Sequence, residues 1–294
     1  MSEQYDKSQN GKSNPINGLV KTYPLGSFVL LTFVISWATW LCVWLAGKGV
    51  VLYTYPLVFI GVFGPFISAF VLTYIQDGKA GVVKLAKRLV QWRESLKWYA
   101  VALFLLPALM LVAICINVAL GGEMGNSPWL QWYLPLVLPI ALVTGIITGG
   151  PLAEEPGWRG YALPRLQAKY GPLAGGLVLG AIWCLWHVPL FFIPGTSQYG
   201  LPFLFWAAYT MALSMLMVWA YNRTNGSILI MMLLHASSNI GITVLPVLPS
   251  MAGGWNTAHI FIGIVLLVTL AVIVWNWRTF ASKALVGTLK GEAA

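Results

Sequence analysis

Apolar segments of about 20 residues recur along most of this chain, the length an α-helix needs to cross a bilayer. They fall at about 26–46, 51–75, 99–120, 172–193, 201–221, 227–247 and 258–277, with another opening at the aromatic belt of Trp129, Trp132 and Tyr133. Of the 294 residues 59% are apolar and only 9% charged, where a soluble surface needs roughly 25%. Lipid is the one solvent that suits such a composition. The predicted fold is therefore an all-α polytopic membrane protein with about eight transmembrane helices, forming a single membrane domain over 26–277. Gly64-Pro65 is expected to kink the second span.

Polar tails are expected at 1–25, unstructured and rich in Ser, Asn, Gln and Lys, and at 278–294. The first is too long and too weakly basic for the leading region of a cleaved signal peptide, so the first span should be an uncleaved anchor. The net charge of +9 does not point to nucleic acid, because the basic residues sit in short loops between spans. With both termini in the cytoplasm, every Lys and Arg except Lys48 falls on the inner side, as charge bias requires. The basic amphipathic stretch from Asp77 to Trp98 reads as a cytoplasmic loop lying on anionic lipid. Cys42, Cys115 and Cys184 have neither metal-like nor disulfide-like spacing and read as small buried hydrophobes.

Against this background Glu154-Glu155-Pro156-Gly157-Trp158-Arg159-Gly160 is exceptional. A charge at membrane depth costs at least about 2.5 kcal/mol, and here three stand together. Other polar residues fall inside later spans: His187, with Trp183 at i−4, and His235, with Asn239 at i+4. His187 lies roughly 22 Å and His235 roughly 14 Å from the cytoplasmic ends of their spans at 1.5 Å per residue. For Glu154 to meet them, the fourth helix must run past Gly149-Gly150 to about Leu163-Pro164. Glu155 and Arg159 have the favoured i,i+4 order for an ion pair, which leaves Glu154 to face a cavity. Pro156 is expected to break the helix locally and help aim these side chains.

A carboxylate, two imidazoles and an amide facing one cavity suit hydrolysis. A carboxylate shielded from water can act as a general base, here holding and activating a water with His187. His235 and Asn239 can donate to the oxyanion that develops on a peptide carbonyl. Glu155, Arg159 and Trp183 read as supporting: an ion pair and a packing aromatic. His259, near the outer interface, reads as outside the site.

The order EExxxR (Glu154, Glu155, Arg159), aromatic-xxx-His (Trp183, His187) and HxxxN (His235, Asn239) resembles the CPBP intramembrane proteases, which include the CAAX prenyl endopeptidases and the bacterial Abi proteins. The resemblance covers about 134–243. It implies an endopeptidase acting on a membrane-associated peptide or protein, with prenylated CAAX tails as the substrate of one branch. It also implies Glu154 and His187 as the water-activating pair, and His235 and Asn239 as the oxyanion hole. The family usually has Phe where this chain has Trp183, so a changed cavity shape is expected.

No metal or other cofactor is expected, as HExxH is absent. If Zn²⁺ were bound, Glu154, His187 and His235 would hold it. The expected partners are membrane lipid and a membrane-associated substrate, with no nucleic acid. The expected location is the bacterial plasma membrane, the cavity opening to the cytoplasm or to lipid. The alternative on the same scaffold is a non-catalytic binding or bacteriocin-immunity protein.

Overall fold

The computed structural model describes residues 15–281, and they form helices and connecting turns with no strand among them. The outermost parts of both predicted tails therefore lie outside the described residues. Within the first tail, Pro15–Thr22 forms a short helix, α1, where open chain was expected. Its Val20 is buried against the bundle, and the Val20 carbonyl accepts a bond from Gln76 Nε2 at 3.1 Å. An apolar side packed on the next elements outweighs the polar composition around it.

The helices that follow match the apolar segments closely. α2 is Pro24–Leu45, α3 Tyr55–Val62 and α4 Gly64–Leu89. α3 and α4 meet at a 45° bend, at the Gly64-Pro65 pair predicted to kink this span. α5 is Leu96–Ala119 and α6 is Leu134–Thr148. Six helical segments are long and apolar enough to cross a membrane, and the bent α3–α4 pair makes a seventh. The remaining predicted span, the fourth, begins as α6, which stops after 15 residues.

That stop corrects the continuous fourth helix expected from the sequence. The chain breaks at Gly149-Gly150 and restarts as α7, Pro151–Glu155. Gly150 has φ 105°, a conformation that residues with a Cβ rarely adopt. Pro151 then takes the first helical position, where a missing N–H costs nothing. Pro156 cannot make the next α-type bond, and Pro156–Ala162 winds as a wider π-helical turn. The expected disturbance at Pro156 is thus a widening of the helix rather than an end to it.

α8, Leu163–Trp186, is interrupted at Gly171, and a 3₁₀ turn, Val188–Phe192, follows His187. α9 is Phe203–Arg223 and α10 is Ile228–Val244. α10 begins where Ser227 Oγ accepts from Ile230 N at 3.3 Å while donating to the Gln91 carbonyl at 2.9 Å. Three helices close the described chain: α11, Pro249–Ala252, α12, Asn256–Trp275, and α13, Trp277–Ala281.

α10 is the centre of the bundle. It packs on α4, α5, α6, α7, α9 and the π-helical turn. Its run from Ile230 to Ser238 is buried on every side, as expected of a helix apolar all round. By contrast α2 and α12 turn Leu30, Val34, Leu41, Leu267, Leu270 and Val274 outward. Such apolar faces need lipid as their solvent. Cys184 is buried as expected, but Cys42 and Cys115 lie on exposed helix faces, and all three thiols are free.

Candidate active site

The break at Gly149-Gly150 places the two glutamates in the interior. Glu154 is 5% exposed, and Glu155 and Arg159 are fully buried. α7 starts at Pro151, so Glu154 occupies its first turn, with its backbone N–H bonded to the Gly150 carbonyl at 2.8 Å. A Cβ on Gly150 would stand 2.7 Å from Glu154 Oε1. Glycine is therefore needed there twice, for the backbone turn and for room beside the carboxylate.

Trp183 ties the first half of the site together. Its Nε1–H donates to Glu154 Oε2 at 2.6 Å. Its backbone carbonyl, 2.8 Å from His187 Nδ1, can only accept, so His187 is the donor there. That bond fixes the tautomer: the neutral ring carries its proton on Nδ1 and leaves the Nε2 lone pair for a reactant. His187 closes α8, one residue ahead of the Val188-Pro189 pair, which disfavours further α-helix. Trp186 and Trp206 flank its ring at centroid distances of 4.8 and 5.2 Å. Trp183 is thus a polar contact of the candidate base as well as packing.

Glu155 organises the second half. Its Oε1 accepts from Arg159 Nη1 at 3.1 Å and from His235 Nδ1 at 2.7 Å. The Arg159 pairing is the expected i,i+4 bridge. The His235 contact, between residues 80 apart in sequence, was not foreseen; it depends on how α10 packs against α7, which no local spacing encodes. Arg159 also lies over the Trp183 ring, 4.1 Å from its centroid. A desolvated cation–π contact is worth about 2 kcal/mol, which helps to hold a charge in the interior.

His235 and Asn239 share a face of α10, but the structure gives them different partners. Asn239, half-buried, donates from Nδ2 to the Gly149 carbonyl at 3.1 Å. It therefore clasps the α6–α7 break beside Glu154. A glycine pair followed directly by proline, as in Gly149-Gly150-Pro151, is the sequence signal for such a break. His259 lies apart, exposed and stacked on Trp255, beside a cavity of about 300 Å³ that Asn117 and Asn256 also line.

Among the described residues no three His, Cys, Asp or Glu side chains are grouped to hold a metal ion. Glu154 is turned to Trp183, and His235 presents its Nδ1 to Glu155.

The family model for Type II CAAX prenyl endopeptidase Rce1-like proteins matches residues 130–241, a segment that contains every residue of this site. The CAAX prenyl protease 2 of Methanococcus maripaludis is 26% identical over 273 residues, covering 87% of this chain and 95% of its own. That similarity extends well beyond the motif-bearing segment into the flanking helices. With the three motifs in order inside the matched segment, the chain is similar to the CAAX prenyl endopeptidases of the CPBP family over that segment.

Proposed function

We propose that the chain is an intramembrane endopeptidase in which Glu154 and His187 activate a water, while His235 and Asn239 receive the oxyanion. The observation that carries this reading is the double use of Trp183. One residue holds Glu154 by its indole N–H and His187 by its carbonyl, leaving His187 Nε2 free as an acceptor. A water between them donates one proton toward Glu154 and the other toward His187. Its oxygen attacks the peptide carbon as Glu154 takes a proton. The carbonyl oxygen becomes the oxyanion, and collapse breaks the C–N bond as the stored proton passes to the leaving amine.

On the opposite side, His235 donates from Nε2 to the oxyanion only when its ring carries both protons. That charge then sits against the Glu155 carboxylate, which already holds His235 Nδ1. Asn239 Nδ2 has two hydrogens, one of which is used on Gly149; the other is available to the oxyanion. No step passes through a metal.

The substrate in this proposal is a membrane-associated protein or peptide. Prenylated CAAX tails are the first class to test, given what the matched family model and the archaeal relative are named for. The cavity would open to the cytoplasm or to lipid, in a plasma membrane with both termini inside. The test is mass-spectrometric identification of products from prenylated, acylated and unlipidated peptides incubated with purified protein in lipid. A single cut near the lipidated end of the prenylated set is expected. Binding of the panel without cleavage would favour a non-catalytic role.

A further inference from the structure

Arg88 belongs to the basic stretch that the sequence places on the membrane surface, yet its guanidinium is directed into the protein. Nη1 donates to the Gly160 carbonyl at 3.1 Å. Nε and Nη2 donate to the Gly226 carbonyl at 3.1 and 2.7 Å. Nη2 also donates to the Tyr221 hydroxyl at 2.7 Å. Lys87, beside it at the end of the same helix, is exposed.

The two carbonyls belong to the elements that build the site. Gly160 lies in the π-helical turn directly after Arg159. The residue four positions on, whose N–H would bond its carbonyl in an α-helix, is Pro164, which has no N–H. Arg88 supplies a donor there. A Cβ on Gly160 would lie 2.8 Å from Leu85 of α4 and 2.9 Å from Ile228 of α10, so glycine lets both helices close on the turn. Gly226 ends the turn leading into α10, which carries His235, and its φ of 73° places its carbonyl within reach of the same guanidinium.

We propose that Arg88 is a positioning residue for the active site. One rigid guanidinium fork bridges the turn that carries Arg159 and the entry to the His235 helix, and so sets the register in which Glu155 meets His235. Arginine suits the role because its donors diverge in a rigid plane from separate nitrogens and span two carbonyls, whereas an ammonium is a compact point charge on a flexible stem. The inference rests on the proteolytic reading for its kinetic consequence alone; the structural consequence stands apart from it.

The test compares wild type with Arg88→Ala, Arg88→Lys and Lys87→Ala in lipid nanodiscs. The first readout is amide hydrogen exchange in 157–163 and 227–231, and the second is kcat and KM on a peptide that wild type cleaves. Arg88→Ala should speed exchange in both segments and lower kcat by about 10- to 100-fold, as small misplacements of reacting groups do, with KM changed less than about twofold. Arg88→Lys should fall between the two, and it carries the test if the alanine variant does not fold. Lys87→Ala should match wild type in both readouts. Unchanged exchange in Arg88→Ala, or full recovery of exchange and kcat by Arg88→Lys, would overturn the proposal in favour of a role for charge alone. If wild type cleaves no peptide, the proteolytic reading fails, and hydrogen exchange alone decides the role of Arg88.

Discussion

Glu155 Oε1 stands 2.7 Å from His235 Nδ1 and 3.1 Å from Arg159 Nη1, so one fully buried carboxylate oxygen serves two nitrogen partners. The arrangement joins α7, the π-helical turn and α10 at a single atom. It also divides the labour between adjacent glutamates. Glu155 holds the architecture, and Glu154, turned to Trp183, is the one that the proposed mechanism uses.

Removing the charge of Glu155 should therefore act on stability first. Glu155→Gln strands the Arg159 guanidinium in the interior, and breaking a buried pair typically costs about 3–5 kcal/mol. Thermal unfolding in detergent should show a large loss. Arg159→Met in the same background should recover part of it, giving a non-additive double-mutant cycle.

Trp183 separates two contributions. Trp183→Phe retains a ring over Arg159 and the carbonyl that holds His187, but it deletes the N–H donated to Glu154. Loss of one such bond is worth about 0.5–1.5 kcal/mol, so kcat/KM should fall by roughly 2- to 12-fold with little change in thermal stability. Trp183→Ala, which also removes the ring, should lose stability as well as activity. Equal stability in the two variants would show that the ring over Arg159 contributes nothing.

Gly150 is the most demanding backbone position of the site. Gly150→Ala has to take up a φ near 105° and place its Cβ 2.7 Å from Glu154 Oε1. A cost of about 1–2 kcal/mol is expected for the left-handed backbone alone. Activity should drop by at least about tenfold as the carboxylate is displaced. Chemical denaturation and steady-state kinetics on the same preparation would measure both.

Much of this arrangement can be read from the sequence because it follows from short-range rules. Apolar run lengths locate nearly every spanning helix. The i,i+4 spacing of Glu155 and Arg159 gives their ion pair, and Gly64-Pro65 gives the bend in the second span. The parts that resist reading depend on tertiary packing. Nothing in the spacing of Glu155 and His235 announces their bond, and nothing in the sequence around Arg88 distinguishes it from the exposed Lys87 beside it. The depths of His187 and His235 in their spans require the glutamates inside the bundle, and there they lie. An unbroken fourth helix is not needed to carry them. The Gly149-Gly150 break achieves the same burial with a short α6, because Asn239 clasps the freed Gly149 carbonyl.

That clasp gives Asn239 two functions that substitution can separate. Asn239→Asp removes the amide donor and turns a carboxylate toward the Gly149 carbonyl. It should lower kcat by about 10²-fold or more, in the range seen when an oxyanion donor is lost, and also loosen the α6–α7 break. Faster amide exchange at 149–152 would report the second effect. Full activity in this variant would remove Asn239 from the oxyanion hole.

The central claim is that Glu154 and His187 together activate the attacking water. The most direct measurement is cleavage of a lipidated peptide by purified protein in lipid, comparing wild type with Glu154→Gln and His187→Ala and with the double variant. Each single variant should lose nearly all of kcat while still binding the peptide, and the double should be no worse than either single, since the two residues act on one water. Cleavage at the wild-type rate in either single variant would contradict the claim.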